Sequence, residues 1–106
     1  MKIEWKRPLQ KNVGEVLREA GYHYFVDPNT HKGSFVLRMG RQYYPRYHVY
    51  VKDVPAEKGG GQIVDLHVDQ KHASYEGQKM HSGESDGPLV EEEIARITRW
   101  LEHFAQ

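Results

Sequence analysis

Gln62-Ile63-Val64-Asp65-Leu66-His67-Val68-Asp69 alternates strictly from Val64 onward, with Val64, Leu66 and Val68 on one parity and Asp65, His67 and Asp69 on the other. Successive side chains of a strand point to opposite faces. The octet therefore predicts a strand with one aliphatic face and one face of imidazole and carboxylates. Three further stretches carry the same period upstream. Tyr22 to Asp27 alternates and runs into the turn residues Asp27-Pro28-Asn29-Thr30. Ser34 to Met39 ends at Gly40, and Tyr47 to Lys52 follows Pro45.

Helical spacing brackets these strands. Leu9, Val13, Val16, Leu17 and Ala20 form one apolar stripe, with Asn12 and Glu15 placed as a capping box and Gly21 as a stop, which predicts a helix over about 9–20. Val90, Ile94, Ile97, Leu101 and Phe104 form a second stripe, opened by Gly87-Pro88. The Glu91-Glu92-Glu93 run suits a solvated first turn matched to the helix dipole, rather than a metal site. The fold class that follows is α+β: one two-layer domain over residues 1–106, in the order α-β-β-β-β-α. Its four-stranded antiparallel sheet carries the N- and C-terminal helices on one face.

Composition narrows the functional classes. The chain has 106 residues, no cysteine and a formal net charge of zero, which excludes disulfides, thiolate metal sites and a cysteine nucleophile. No apolar run approaches the roughly 20 residues that span a bilayer, and residues 1–7 hold no apolar signal core, so a soluble cytoplasmic protein is expected. Charge is split along the chain. Residues 1–52 hold ten Lys and Arg against four Asp and Glu, a net of +6, and residues 53–106 hold five against eleven, a net of −6. The basic half suits a polyanion; equally, the halves complement each other within the fold.

Two helices must cover one face of the sheet, so the apolar parity of each strand should meet them. The other parity then shares an open face: His23, Phe25, Val36, Arg38, His48, Tyr50, Asp65, His67 and Asp69. Hairpins paired symmetrically about their loops would put His23, Arg38, His48 and His67 in one row, and Phe25, Val36, Tyr50 and Asp65 in the next. Residues 70–87 carry no apolar period, and a loop of that length suggests a functional role, such as covering part of this face.

Three uses of the open face follow. Between Arg38 and Tyr50, arginines Arg38, Arg41 and Arg46 interleave with tyrosines, and together with His23 and Tyr50 they suit RNA or another phosphate-bearing ligand: guanidinium forks match phosphate and tyrosines stack on unpaired bases. His48 and His67 as acid and base would make such a site a metal-independent ribonuclease with no cofactor. Alternatively His48, His67 and Asp69, closed over by His81, offer nitrogen and oxygen donors that suit a divalent metal such as zinc or manganese. Third, Tyr and Arg are enriched at interface hot spots, so the same face could join two copies in a homodimer. Dinucleotide and phosphate-loop motifs are absent; Gly59-Gly60-Gly61 lacks the Lys-Ser/Thr that a phosphate loop requires.

Leu66-His67-Val68-Asp69-Gln70-Lys71, continued by Ser74-Tyr75-Glu76-Gly77 and His81-Ser82-Gly83-Glu84, resembles a signature of a family of small uncharacterised bacterial proteins, which implies no activity, cofactor or catalytic residue. Leu17-Arg18-Glu19-Ala20-Gly21-Tyr22 and Lys32-Gly33-Ser34 are similar to the first-helix end and the Gly-Ser strand start of HicA-type toxins, small ribonucleases of double-stranded-RNA-binding-domain fold. That family places its catalytic histidine directly after the Gly-Ser, where this chain has Phe35, so the likeness extends to the fold alone.

Overall fold

The computed structural model describes residues 1–70 and 86–106. The elements run β1 (Lys2–Trp5), α1 (Val13–Glu19), β2 (His23–Val26), β3 (Gly33–Arg38), β4 (Arg46–Asp53), one 3₁₀ turn (Ala56–Lys58), β5 (Gln62–Asp69) and α2 (Pro88–His103). The class is α+β, as expected, but the antiparallel sheet has five strands in the order β1-β5-β4-β3-β2. The additional strand is N-terminal, so the first helix does not begin the chain. No helix among the described residues is long and apolar enough to cross a membrane.

Lys2–Trp5 is short and mixed in character, too brief for its period to be read alone. What makes it a strand is its docking on β5, with Ile3 beside Val64 and Trp5 beside Gln62. The glycine triplet makes that docking possible. Gly61 adopts φ +79°, and a Cβ there would sit 2.5 Å from the Trp5 carbonyl oxygen; only glycine tolerates both demands.

Helix α1 is shorter than its apolar stripe. Asn12 holds extended backbone (φ −68°, ψ 164°) and forms a complete capping box with Glu15, which ends the helix at its N-terminal side. Leu9 lies in an isolated bridge to Ala105, and Gln10 N–H donates to the Phe104 carbonyl at 2.8 Å. Residues 8–10 are thus held by the chain end after α2, not by a helical turn.

Strand parity is as expected. Val49, Val64, Leu66 and Val68 are fully buried with Val13, Val16, Leu17, Val90, Ile97 and Leu101 of the helices, forming one core on one side of the sheet. At the edge strand β2 the cover thins, leaving Tyr24 and Val26 exposed. Glu93 departs from its expected solvated position. It is buried, accepting from the Tyr22 hydroxyl at 2.6 Å and from Arg96 Nε and Nη2 at 2.7 and 2.8 Å.

Register agrees with the symmetric expectation in one hairpin of three. His48 pairs with His67 and Tyr50 with Asp65. In the other two hairpins the pairing is displaced by two residues: His23 meets Val36, Val36 meets His48, and Arg38 meets Arg46. The turns account for this. Asp27 Oδ1 accepts from Asn29 and Thr30 N–H, and His31 (φ 62°) closes the turn so that Asp27 N–H bonds the Lys32 carbonyl. In the next hairpin Met39 N–H donates to the Pro45 carbonyl at 3.2 Å, so β4 is already in the sheet at Arg46.

A candidate polar site on the open face

These two displacements decide what the open face can do. Arg38 leaves the histidine row and Val36 takes its place, while Arg46 and Ser34 join the polar set. Asp69, the last residue of β5, becomes the centre of a buried network. Its Oδ2 accepts from Arg46 Nε at 2.9 Å and from His48 Nδ1 at 2.8 Å, and its Oδ1 lies 3.1 Å from His67 Nε2. The far nitrogen of His48, Nε2, lies 2.7 Å from Ser34 Oγ.

Burial would push the Asp69 carboxyl up, but the donors on His48, His67 and Arg46 outweigh it and hold the group well below the usual carboxylate range. An ionised carboxylate only accepts hydrogen bonds, so the protons of both imidazoles face it: Nδ1–H on His48 and Nε2–H on His67. In the tautomer whose one proton is on Nδ1, Nε2 is the acceptor for the Ser34 hydroxyl. Tyr50 stacks on His48 (ring centroids 4.6 Å) and more distantly on His67 (5.7 Å), fixing both ring planes. Burial and the nearby Asp69 and Asp27 charges push the Tyr50 phenol up, so it stays neutral.

Arg46 is held from all sides. Its guanidinium carbon lies 4.6 to 5.2 Å from the ring centroids of Tyr43, Tyr44 and Phe25, within cation–π range. Burial alone would lower its pKa, but the hydrogen bonds it donates to Asp69 and Tyr43 raise it, so the charge persists. Its Nη1 is buried and has no hydrogen-bond partner among the described residues. Beside it, Phe25, Val36, His23, Arg38, Tyr43 and Arg46 itself line a cleft of about 530 Å³, and the exposed Arg38 lies 5.2 Å from the Tyr43 ring centroid.

The structure thus brings together His48, His67 and Asp69, and gathers His23, Arg38 and Arg46 at the adjacent cleft. Tyr50 caps the histidine pair. Arg41 is exposed on the β3–β4 turn and does not line the cleft. His81, expected to close a metal site, lies outside the described residues, as does nearly all of the 70–87 segment. Ser34 and the partnership of Arg46 with Asp69 escape the sequence reading. Ser34 shares parity with Val36 and Arg38, so extending the open set by one position would have included it.

Two kinds of ligand fit these groups chemically. The arginines and rings suit an anion with planar groups attached. One ligand atom from each of His48, His67 and Asp69 also lies within 4.8 Å of the others, a spacing a cation could bridge. No protein family, curated protein or solved structure matches the chain.

Proposed function

We propose that the open sheet face binds a phosphate-bearing ligand, with single-stranded RNA as the class it fits best. One observation carries this reading: the 530 Å³ cleft in which two guanidinium groups, Arg38 and Arg46, sit among the rings of Tyr43, Phe25 and His23. Arginine supplies phosphate contacts, and aromatic faces supply sequence-tolerant stacking for unpaired bases. Arg46 is already neutralised by Asp69, so Arg38 is the group that meets phosphate. His48 has both ring nitrogens bonded and offers no free lone pair to a phosphodiester; the proposal is therefore one of binding rather than of two-histidine cleavage.

The test is fluorescence anisotropy with a short labelled single-stranded RNA over a range of salt. Affinity is expected to fall as salt rises, and Arg38→Ala should flatten the log–log slope by about 0.7, the value for one neutralised phosphate on a single strand. Binding that is absent, or indifferent to salt, would sink the proposal.

A divalent cation is the alternative occupant, favoured by the proximity of the three donors. To bind, it would have to displace Arg46 Nε from Asp69 and strip both imidazoles of the hydrogens aimed there. Calorimetric titration with zinc or manganese is accordingly expected to show no stoichiometric binding to the intact protein. A one-to-one isotherm that disappears in Asp69→Asn would establish the metal instead.

A further inference from the structure

We infer that Ser34, His48 and Asp69 form a hydroxyl–imidazole–carboxylate relay that makes Ser34 a covalent nucleophile toward carboxylic esters. The inference goes beyond ligand binding and stands on these three residues alone. They come from three neighbouring strands, β3, β4 and β5, and meet in line. The hydroxyl lies 2.7 Å from one ring nitrogen of His48 and the carboxylate 2.8 Å from the other.

The arrangement meets the physical requirements of nucleophile activation. A carboxylate must hold the imidazole in the tautomer whose lone pair faces the hydroxyl; the Asp69 network does so, with Arg46 and His67 fixing the carboxylate in turn. The ring must not rotate, and Tyr50 stacked at 4.6 Å restrains it. A serine on an open sheet face would ordinarily hydrogen-bond to water. Here the residue is only 2% exposed and its hydroxyl lies against imidazole. Ser34 does not itself line the cleft, but Phe25, which pairs with it, and Val36, two residues along β3, both do, so an ester must reach the hydroxyl from that side.

The steps balance without a co-reactant other than water. Ser34 Oγ bonds to the ester carbonyl carbon while its proton passes to His48 Nε2. The bond from that carbon to the leaving oxygen then breaks, and the departing alcohol takes the proton from Nε2. Water adds to the acyl carbon and gives a proton to Nε2. The bond to Oγ breaks, Oγ recovers the proton, and a carboxylic acid leaves. Ester and water become acid and alcohol, with no redox change.

The probe is diisopropyl fluorophosphate on the intact chain, read by whole-protein mass spectrometry and peptide mapping, with p-nitrophenyl acetate hydrolysis in parallel. One adduct at Ser34 is expected. His48→Gln should slow labelling and hydrolysis by about 10³-fold or more, and Ser34→Ala should abolish both. If Ser34→Ala fails to fold, the mapped position on the unaltered chain still decides. Absence of an adduct on the folded protein, or one mapped to another residue, overturns the inference.

Discussion

Asp69→Ala should lower the free energy of unfolding by about 3–5 kcal/mol, the usual cost of removing one partner from a buried ion pair. The origin of that loss is the positive charge left behind more than the contact removed. Arg46 is 6% exposed and its Nε would face no anion, while the inward-facing hydrogens of His48 and His67 would lose their acceptor. Urea denaturation of the variant and the unaltered protein measures the difference. Adding Arg46→Met should restore part of it, because the uncompensated charge is then gone and the methionine stem can pack against Phe25, Tyr43 and Tyr44. A cost below about 1 kcal/mol for Asp69→Ala would mean that the network contributes little to stability.

The same carboxylate sets an acid limit. Its folded pKa lies below the unfolded value of about 3.9. A depressed carboxylate contributes stability that is fully present above the unfolded value and is lost as pH falls toward the folded one. The unaltered protein should therefore lose part of its stability below about pH 4, and Asp69→Asn should flatten that part of the profile.

How far this site could be read from the chain depends on which link is considered. Parity survives any even slip, so the alternation in Gln62–Asp69 and Tyr47–Lys52 suffices to put His48, His67 and Asp69 on the face opposite the helices. Register does not survive such a slip. It depends on turn geometry, and the left-handed His31 and the Met39–Pro45 hydrogen bond are set by local backbone interactions that side-chain periodicity does not report. That two-residue displacement exchanges Arg38 for Val36 beside His48 and brings Ser34 into its reach. Strand β1 was hidden for a related reason: Lys2–Trp5 is a strand because β5 is there to receive it. Glu93 was misplaced because a run of three glutamates reads as a solvated turn unless the helix rotation on the sheet is known.

Glu93 carries the second large effect. Tyr22 is 2% exposed, and burial followed by the nearby Glu93 carboxylate pushes its phenol well above the ordinary range, so it remains protonated and donates. Glu93→Ala strands that hydroxyl in the core and takes the carboxylate from Arg96. The expected cost is on the order of 2–3 kcal/mol, because a buried donor is left unpaired. Tyr22→Phe removes the donor itself and leaves Glu93 held by both Arg96 bonds, so it should cost only about 1 kcal/mol. Glu93→Gln keeps an acceptor for the hydroxyl and should fall between them. In the double variant Tyr22→Phe, Glu93→Ala no buried hydroxyl is left stranded, and only the half-exposed Arg96 lacks its partner, so its loss should be smaller than the two single losses added together, and urea denaturation of all four proteins closes the cycle. If Tyr22→Phe proved as costly as Glu93→Ala, the cost would have to come from packing of the ring, and the bond that ties α2 to the start of β2 would not be what orients that helix on the sheet.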